Sequence, residues 1–297
     1  MSTRKATLIS NPKTGRYVSK RKTIQDLAAD LKTLGVDVEL KLTTGPGDAT
    51  ELAARAANNG STDVIVAGGD GTINEAIQGM VGTKARLGIL PRGTANVLAR
   101  ELGLPMDVDE ALKIAAQGNS RRIHFGVAIN ETTGARRHFV LMAGIGLDAS
   151  VVRRVHPGLK KRFGRGAFWL SGLSHLATWH PQKFTLEIDG SNYSATFAAI
   201  GKATRYGGDL MVTPRARLEE PEFEVCIIET LSRIRYLQFL SYAMRSGMPN
   251  DRKGVRFLKT KRVRALGDAP VQVDGELVGQ LPMTFEIVPQ SLEVIVP

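Results

Sequence analysis

The chain has a single cysteine, Cys226, among 297 residues. One thiol excludes an internal disulfide and a cysteine-based zinc site. The five histidines are scattered without metal-ligand spacing. Aromatic residues make up only 6% of the chain, so base-stacking platforms are scarce. No RNP, zinc-finger or helix-turn-helix signature is present, and nucleic acid is not an expected partner. No stretch approaches the roughly 20 apolar residues that span a bilayer. The N-terminus, MSTRKATLISNP, lacks the apolar core of a signal peptide. A soluble cytoplasmic protein is expected.

Acidic residues are missing locally. Between Ala149 and Leu186 there are seven basic residues (Arg153, Arg154, Lys160, Lys161, Arg162, Arg165, Lys183) and no Asp or Glu. From Leu231 to Gly267 Asp251 is the one acid against ten Lys and Arg. The net charge is +11, which by itself favours anionic partners: nucleotide, nucleic acid or an acidic membrane surface, against a merely solvated basic face.

What is present is a strand–helix alternation over the first 125 residues. Strand-like runs at Ala6–Ser10, Val36–Leu42, Val64–Ala67 and Leu87–Leu90 alternate with helical spacing at Ile24–Leu34, Asp48–Asn59, Thr72–Met80 and Ala95–Leu102. This pattern predicts a doubly wound, mostly parallel α/β sheet. After about Arg121 period-two runs dominate: Phe139–Ala143, Phe184–Ile188, Tyr193–Ile200, Phe223–Ile228, Gly254–Arg264, Val271–Val273, Met283–Val288 and Leu292–Val296. Helical stretches at Gly164–Thr178 and Ile234–Arg245 interrupt them. The expected organisation is an α/β domain over 1–125 and a mainly antiparallel β domain over 126–289, with an interdomain cleft.

Three strand ends in the first domain run into glycine-bearing loops: Asn11-Pro12-Lys13-Thr14-Gly15, Gly68-Gly69-Asp70-Gly71-Thr72-Ile73-Asn74, and Pro91-Arg92-Gly93-Thr94-Ala95-Asn96. Ligands bind beyond the carboxyl ends of parallel strands, where helix N-termini expose unpaired N–H groups. Glycines let the backbone approach phosphate closely, and Thr72, Asn74, Thr94 and Asn96 add neutral donors. A bare carboxylate repels phosphate, so Asp70 makes sense as a ligand to Mg²⁺ beside a nucleotide. Three tight strand-to-helix turns are the alternative reading.

GGDGTINEA, PRGTANVLARELGLP, FVLMAGIGLDA, YGGDLMVTPRARLEE and VDGELV occur in that order. Together they resemble the bacterial diacylglycerol kinase-like lipid kinases, relatives of sphingosine and ceramide kinases. The GGDGT stretch alone is shared with NAD kinases and is similar to a phosphofructokinase motif. The resemblance implies an ATP site built from Asn11 to Gly15, Thr43, Gly68 to Asn74 and Thr94, with ATP and Mg²⁺ as cofactors. It implies a last strand, about 290–297, that folds back onto the first domain. It places a general base in Val273–Glu276, at Asp274 with Glu276 as second choice or partner; a plain Asp-Gly hairpin turn is the other reading. It also implies a structural Mg²⁺ held by the Glu220 carboxylate and the carbonyls of Arg217 and Glu222, against an ordinary acidic turn.

The pattern is broken at two places. Many members read GTAND where this chain has Asn96-Val97, and many carry Asp at the position of His124. Glu101, one turn beyond Val97, could substitute. The expected function is transfer of the γ-phosphoryl of ATP to a hydroxyl of diacylglycerol or a related lipid. An NAD kinase-like enzyme and a catalytically weakened nucleotide- or lipid-binding regulator stay open. A lipid substrate and the basic, aromatic segment Val151–Lys183 point to peripheral contact with an anionic membrane at its inner face. A homodimer stays open.

Overall fold

The computed structural model describes residues 4–12, 22–147, 149, 181–206, 210–245, 254–289 and 292–297. The chain divides into one compact unit of Met1–Ile123 with Pro289–Pro297 and a second of His124–Val288.

The first unit alternates β1 (Lys5–Ser10), α1 (Ile24–Thr33), β2 (Asp37–Leu42), α2 (Asp48–Asn58), β3 (Asp63–Gly68), α3 (Asp70–Met80), β4 (Arg86–Pro91), α4 (Val97–Glu101), α5 (Val108–Gln117) and β5 (Asn119–Ile123). α1 starts at a reciprocal cap: Asp26 N–H donates to Thr23 Oγ1 and Thr23 N–H to Asp26 Oδ2. α5 was not among the expected helices, although Asp107 caps it by accepting from the amides of Asp109 and Glu110. Its apolar face, Ala111, Leu112, Ala115 and Ala116, joins Leu8, Leu27, Leu31, Ile65 and Leu90 in the core. Fully buried Asp63 anchors the base of β3 between Arg4 and Arg86, at 2.5 and 2.7 Å. Two guanidiniums compensate the desolvation of that single carboxylate.

The second unit is antiparallel. It contains β6 (Gly126–Asn130), β7 (Arg136–Phe139), β8 (Met142–Gly146), β9 (Phe184–Ile188), β10 (Ser191–Ala195), β11 (Phe197–Gly201), β12 (Arg205–Tyr206), β13 (Leu210–Met211), β14 (Phe223–Ile228), α6 (Arg233–Arg245), β15 (Val255–Thr260), β16 (Arg262–Leu266), β17 (Pro270–Val273), β18 (Glu276–Gln280) and β19 (Met283–Ile287). One sheet has the order β10-β9-β16-β19-β6-β7 and a second β15-β14-β11-β8-β17-β18. Inward-facing residues of both, among them Phe139, Ile145, Leu186, Ile200, Phe223, Val263 and Phe285, form one core.

Two runs expected to be single strands are each split between these sheets. Tyr193–Ile200 breaks at fully buried Thr196, whose Oγ1 donates to carbonyl oxygens of Ile228 or Thr230 and lies 2.6 Å from the Tyr236 hydroxyl. Gly254–Arg264 breaks after Thr260, whose Oγ1 accepts from Arg262 N–H. Period-two patterning runs straight through both corners, and local threonine bonds make the bends. The expected helix at 164–178 and most of Val151–Lys183 lie outside the described residues.

β20 (Leu292–Val296) returns the chain to the first unit, parallel to β4 and antiparallel to β5. The completed sheet has the order β2-β1-β3-β4-β20-β5. β5 was also unanticipated: Asn119–Arg122 are exposed, so the strand carries no alternation to read. Its arginines guard the sheet edge. The order reverses between β1 and β3, which makes the crevice beyond their carboxyl ends the topological switch point.

Candidate functional site

The switch point is where the predicted loops meet. Ser10 ends β1 beside Ala67, and its hydroxyl donates to the Ala67 carbonyl at 3.0 Å. Asn11 and Pro12 follow Ser10, and Lys13–Gly15 lie outside the described residues. Thr43 is buried just after β2, with its amide donating to Ser10 O at 2.9 Å. Gly68 pairs with Pro91, and the Arg92 amide donates to Gly68 O, so the loops after β3 and β4 lie side by side.

The glycines divide by role. A Cβ on Gly93 would stand 2.5 Å from Gly69 Cα and 2.7 Å from Asn96 Oδ1. One on Gly68 would stand 2.8 Å from Thr72 Cβ. Gly69 and Gly93 stay bare because the two loops touch backbone to backbone, and Gly68 because the Thr72 side chain packs over it. Gly71 is different: it is exposed, and a Cβ there meets nothing within 4 Å. It opens the first turn of α3, whose N-cap Gly69 offers no side-chain cap. The first amides of a helix lack partners within the helix, and Gly71 adds no side chain beside them.

The expected neutral donors are distributed unevenly. Asn96 has φ 49° and closes its own loop, accepting from Gly93 N–H and donating to Gly93 O. Asn74 is buried and accepts from the Gln78 amide at 3.3 Å. Thr94 is exposed and Thr72 half-buried. Ile73 is core. Arg92, not singled out from the sequence, adds a buried guanidinium whose Nη1 donates to Lys22 O. Its only sequence signal was an arginine directly after a strand-ending proline.

Asp70 is half-buried at the start of α3 and turns its carboxylate to the start of α4. Oδ1 accepts from Leu98 N–H at 3.4 Å. Burial pushes its pKa above the ordinary value, and the amides of Leu98, Val97 and Asn96 oppose that shift. The carboxylate thus braces the two loops. Val97 is core at the first position of α4, while Glu101 ends the same helix half-buried. His124 opens the second unit, donating its amide to Leu218 O at 2.8 Å. Among the described residues no three His, Cys, Asp or Glu side chains cluster as metal ligands. A nucleotide-bound Mg²⁺ usually takes one or two carboxylates, its other ligands being phosphate and water, and Asp70 fits that donor set.

In the second unit Asp274 and Gly275 form the two-residue turn between β17 and β18, with φ 46° and 86°. The hairpin reading of the residues is therefore correct, but it is incomplete. Asp274 Oδ2 accepts from Val140 N–H at 2.8 Å, and Oδ1 from Leu141 and Met142 N–H at 2.9 Å each. Three consecutive amides hold the carboxylate against the bend between β7 and β8. Glu276 is half-exposed and paired with Arg137 at 2.6 Å.

The expected Mg²⁺ ligands at Arg217, Glu220 and Glu222 also converge, but on an ammonium. Lys202, fully buried just after β11, donates from Nζ to the carbonyls of Arg217 at 2.7 Å and Glu222 at 3.1 Å, and to that of Glu220. The Glu220 and Glu222 carboxylates turn to Lys259, at 2.9 and 2.5 Å. The expectation is corrected here: the space between the carbonyls is taken and the Glu220 carboxylate points to a lysine, so these residues do not fit a metal ion. Burial lowers the Lys202 pKa to about 8, with Glu220, Glu219 and Glu222 opposing.

Residues 5–128 match the family model of the diacylglycerol kinase catalytic domain, and residues 142–296 that of the YegS C-terminal NAD kinase beta sandwich-like domain. The chain is 30% identical to a diacylglycerol kinase of Staphylococcus saprophyticus, over 99% of this chain and 96% of that one. It is 30% identical to one of Mycobacterium tuberculosis, covering 99% and 95%, and 29% to one of Bacillus subtilis, covering 99% and 97%. A crystal structure from Bacillus anthracis str. Sterne, described as a diacylglycerol kinase, matches with a TM-score of 0.76 at 20% identity, over 100% of this chain and 98% of that one. That likeness shows a shared fold. The sheet order, the loop motifs and the full-length relatives together place the chain in the bacterial diacylglycerol kinase-like family of lipid kinases.

Proposed function

We propose that this enzyme transfers the γ-phosphoryl of ATP, with Mg²⁺, to a hydroxyl of diacylglycerol or a related lipid such as a sphingoid base. The observation that carries the nucleotide half is the switch-point crevice, with the uncapped first turn of α3 beside exposed Gly71. The amides of that turn would bind phosphate oxygens, with Asn11 to Gly15, Thr43 and Thr94 as further nucleotide contacts. Asp70 would hold the metal, which supplies neutralisation of phosphate charge. Asp274 would accept the proton of the lipid hydroxyl, and Glu276 with its Arg137 partner would flank it.

The test is transfer of labelled γ-phosphate from ATP to diacylglycerol, a sphingoid base, phosphatidylglycerol and NAD. Label in a lipid is the expected result; label in NAD alone would replace the lipid reading with the NAD kinase one. No transfer to any acceptor, with Mg·ATP still bound, would favour a regulator.

Peripheral contact with an anionic membrane has its support on α6. Among the described residues, four of the six exposed large apolar side chains are Leu231, Ile234, Leu237 and Met244. At 100° per residue Ile234, Leu237 and Met244 fall within about 80° of arc. The buried Tyr236, Phe239 and Ala243 occupy the opposite side. The charged residues of the helix are Arg233, Arg235 and Arg245, with no acid. Apolar side chains facing outward between arginines suit the headgroup boundary of an anionic bilayer. Ile234→Glu with Leu237→Glu is expected to reduce co-flotation with phosphatidylglycerol vesicles by at least tenfold. Equal flotation of the variant, or wild-type binding indifferent to salt and anionic lipid, would remove α6 from the membrane contact.

A further inference from the structure

We infer that Lys202 is the resident cation of the Arg217–Glu222 turn, a covalently tethered ammonium standing where the fold would otherwise take up a metal ion. Three backbone carbonyls that point at one another are mutually repulsive dipoles, and a positive charge among them relieves that repulsion. An ammonium carries three N–H donors and no acceptor. Lys202 Nζ meets three carbonyl acceptors, those of Arg217, Glu220 and Glu222, so donors and acceptors match one for one. The side chain is fully buried, so water does not compete for these bonds.

The surrounding charges agree with a single positive charge at the centre. Lys259 bridges the Glu220 and Glu222 carboxylates and turns them away from the carbonyl cage. Lys202 and Lys259 stand against Glu220 and Glu222, with Glu219 a further carboxylate acting on the ammonium. A divalent ion added to that set would sit against an ammonium and lack a carboxylate ligand. Pro221, between two of the three carbonyl residues, fixes its own φ and stiffens the turn. The backbone ties Lys202 in place as well, its N–H donating to Leu141 O at 2.8 Å. Leu141 in turn donates its amide to Asp274, so the cage is two hydrogen bonds from the proposed base.

The inference is independent of the catalytic reading, and its test uses melting temperatures of the full chain without nucleotide. Lys202→Met keeps most of the volume and removes the charge; it is expected to lower the melting temperature on the order of 10 °C. Lys202→Ala empties the cage as well. MgCl₂ alone is expected to raise the melting temperature of Lys202→Ala above the response of wild type, because the vacated carbonyls then bind the metal. The wild-type response is the baseline for Mg²⁺ bound anywhere else. Lys202→Met as stable as wild type would show that the ammonium does not hold the turn. Identical Mg²⁺ responses in Lys202→Ala and wild type would show that this is not a cation position. If Lys202→Ala does not fold without salt, refolding yield with and without MgCl₂ reads the same question.

Discussion

Asp274→Ala is expected to lower phosphoryl transfer by roughly 10²–10⁴-fold, the usual loss on removing a general base. Mg·ATP affinity should stay within about twofold, because Asp274 belongs to the second unit and the proposed nucleotide loops to the first. The substitution will also act on stability. It strands the amides of Val140, Leu141 and Met142, and a buried amide without an acceptor costs about 1–3 kcal/mol. The two effects separate by experiment. Rates are measured well below the melting temperature of the variant, so that lost activity is not lost fold. A base predicts a large fall in kcat there, together with loss of the acidic limb of the pH–rate profile. A variant that melts earlier but keeps its kcat would make Asp274 a clamp of the β7–β8 bend and nothing more. Glu276→Gln is the contrast: its ion pair with Arg137 is partly solvated, so roughly 1 kcal/mol or less of stability is at stake.

Replacing Asp70 is expected to abolish detectable Mg·ATP binding, at least a tenfold loss by isothermal titration. The carboxylate has one observed contact, to the start of α4, and one proposed role, at the metal, and two substitutions pull them apart. Asp70→Ala removes both the proposed metal ligand and the acceptor for the Leu98 amide; losing such a helix-start acceptor costs about 1 kcal/mol. Asp70→Asn keeps an acceptor oxygen for α4 and removes the negative charge. If Asp70 holds Mg²⁺, Asn is as damaging to Mg·ATP binding as Ala, although the protein melts near wild type. Binding by Asp70→Asn within twofold of wild type would reduce Asp70 to a brace between the loops. Val97 makes this a demanding test, since its side chain is core and offers no second carboxylate at the start of α4.

The first unit was the more legible in sequence because its signals are local. Helical spacing over Ile24–Leu34, buried runs such as Val64–Ala67 and glycine-bearing loops after three strands all express backbone chemistry within a few residues. The edge strand β5 escaped because it presents solvent-facing arginines instead of alternation, whereas α5 carried a legible cap at Asp107 and an apolar face that went unread. In the second unit the strands were visible but not their allocation to two sheets. The corners at Thr196 and Thr260 are made by hydroxyl bonds that leave the period-two pattern intact.

The sequence by itself determined that glycine-bearing loops would stand at the ends of parallel strands, because strand periodicity and glycine placement are written residue by residue. It also determined the family, through motifs in a set order. Only the tertiary structure decided what each polar group does there. It spends Gly69 and Gly93 on each other, leaves Gly71 open, and turns Asp70 toward α4. It sets Asp274 against three amides and closes a carbonyl cage around Lys202, some 15 to 20 residues before its acceptors. Carbonyl direction and side-chain reach across a sheet are properties of folded backbone, so no spacing rule along the chain could have specified them.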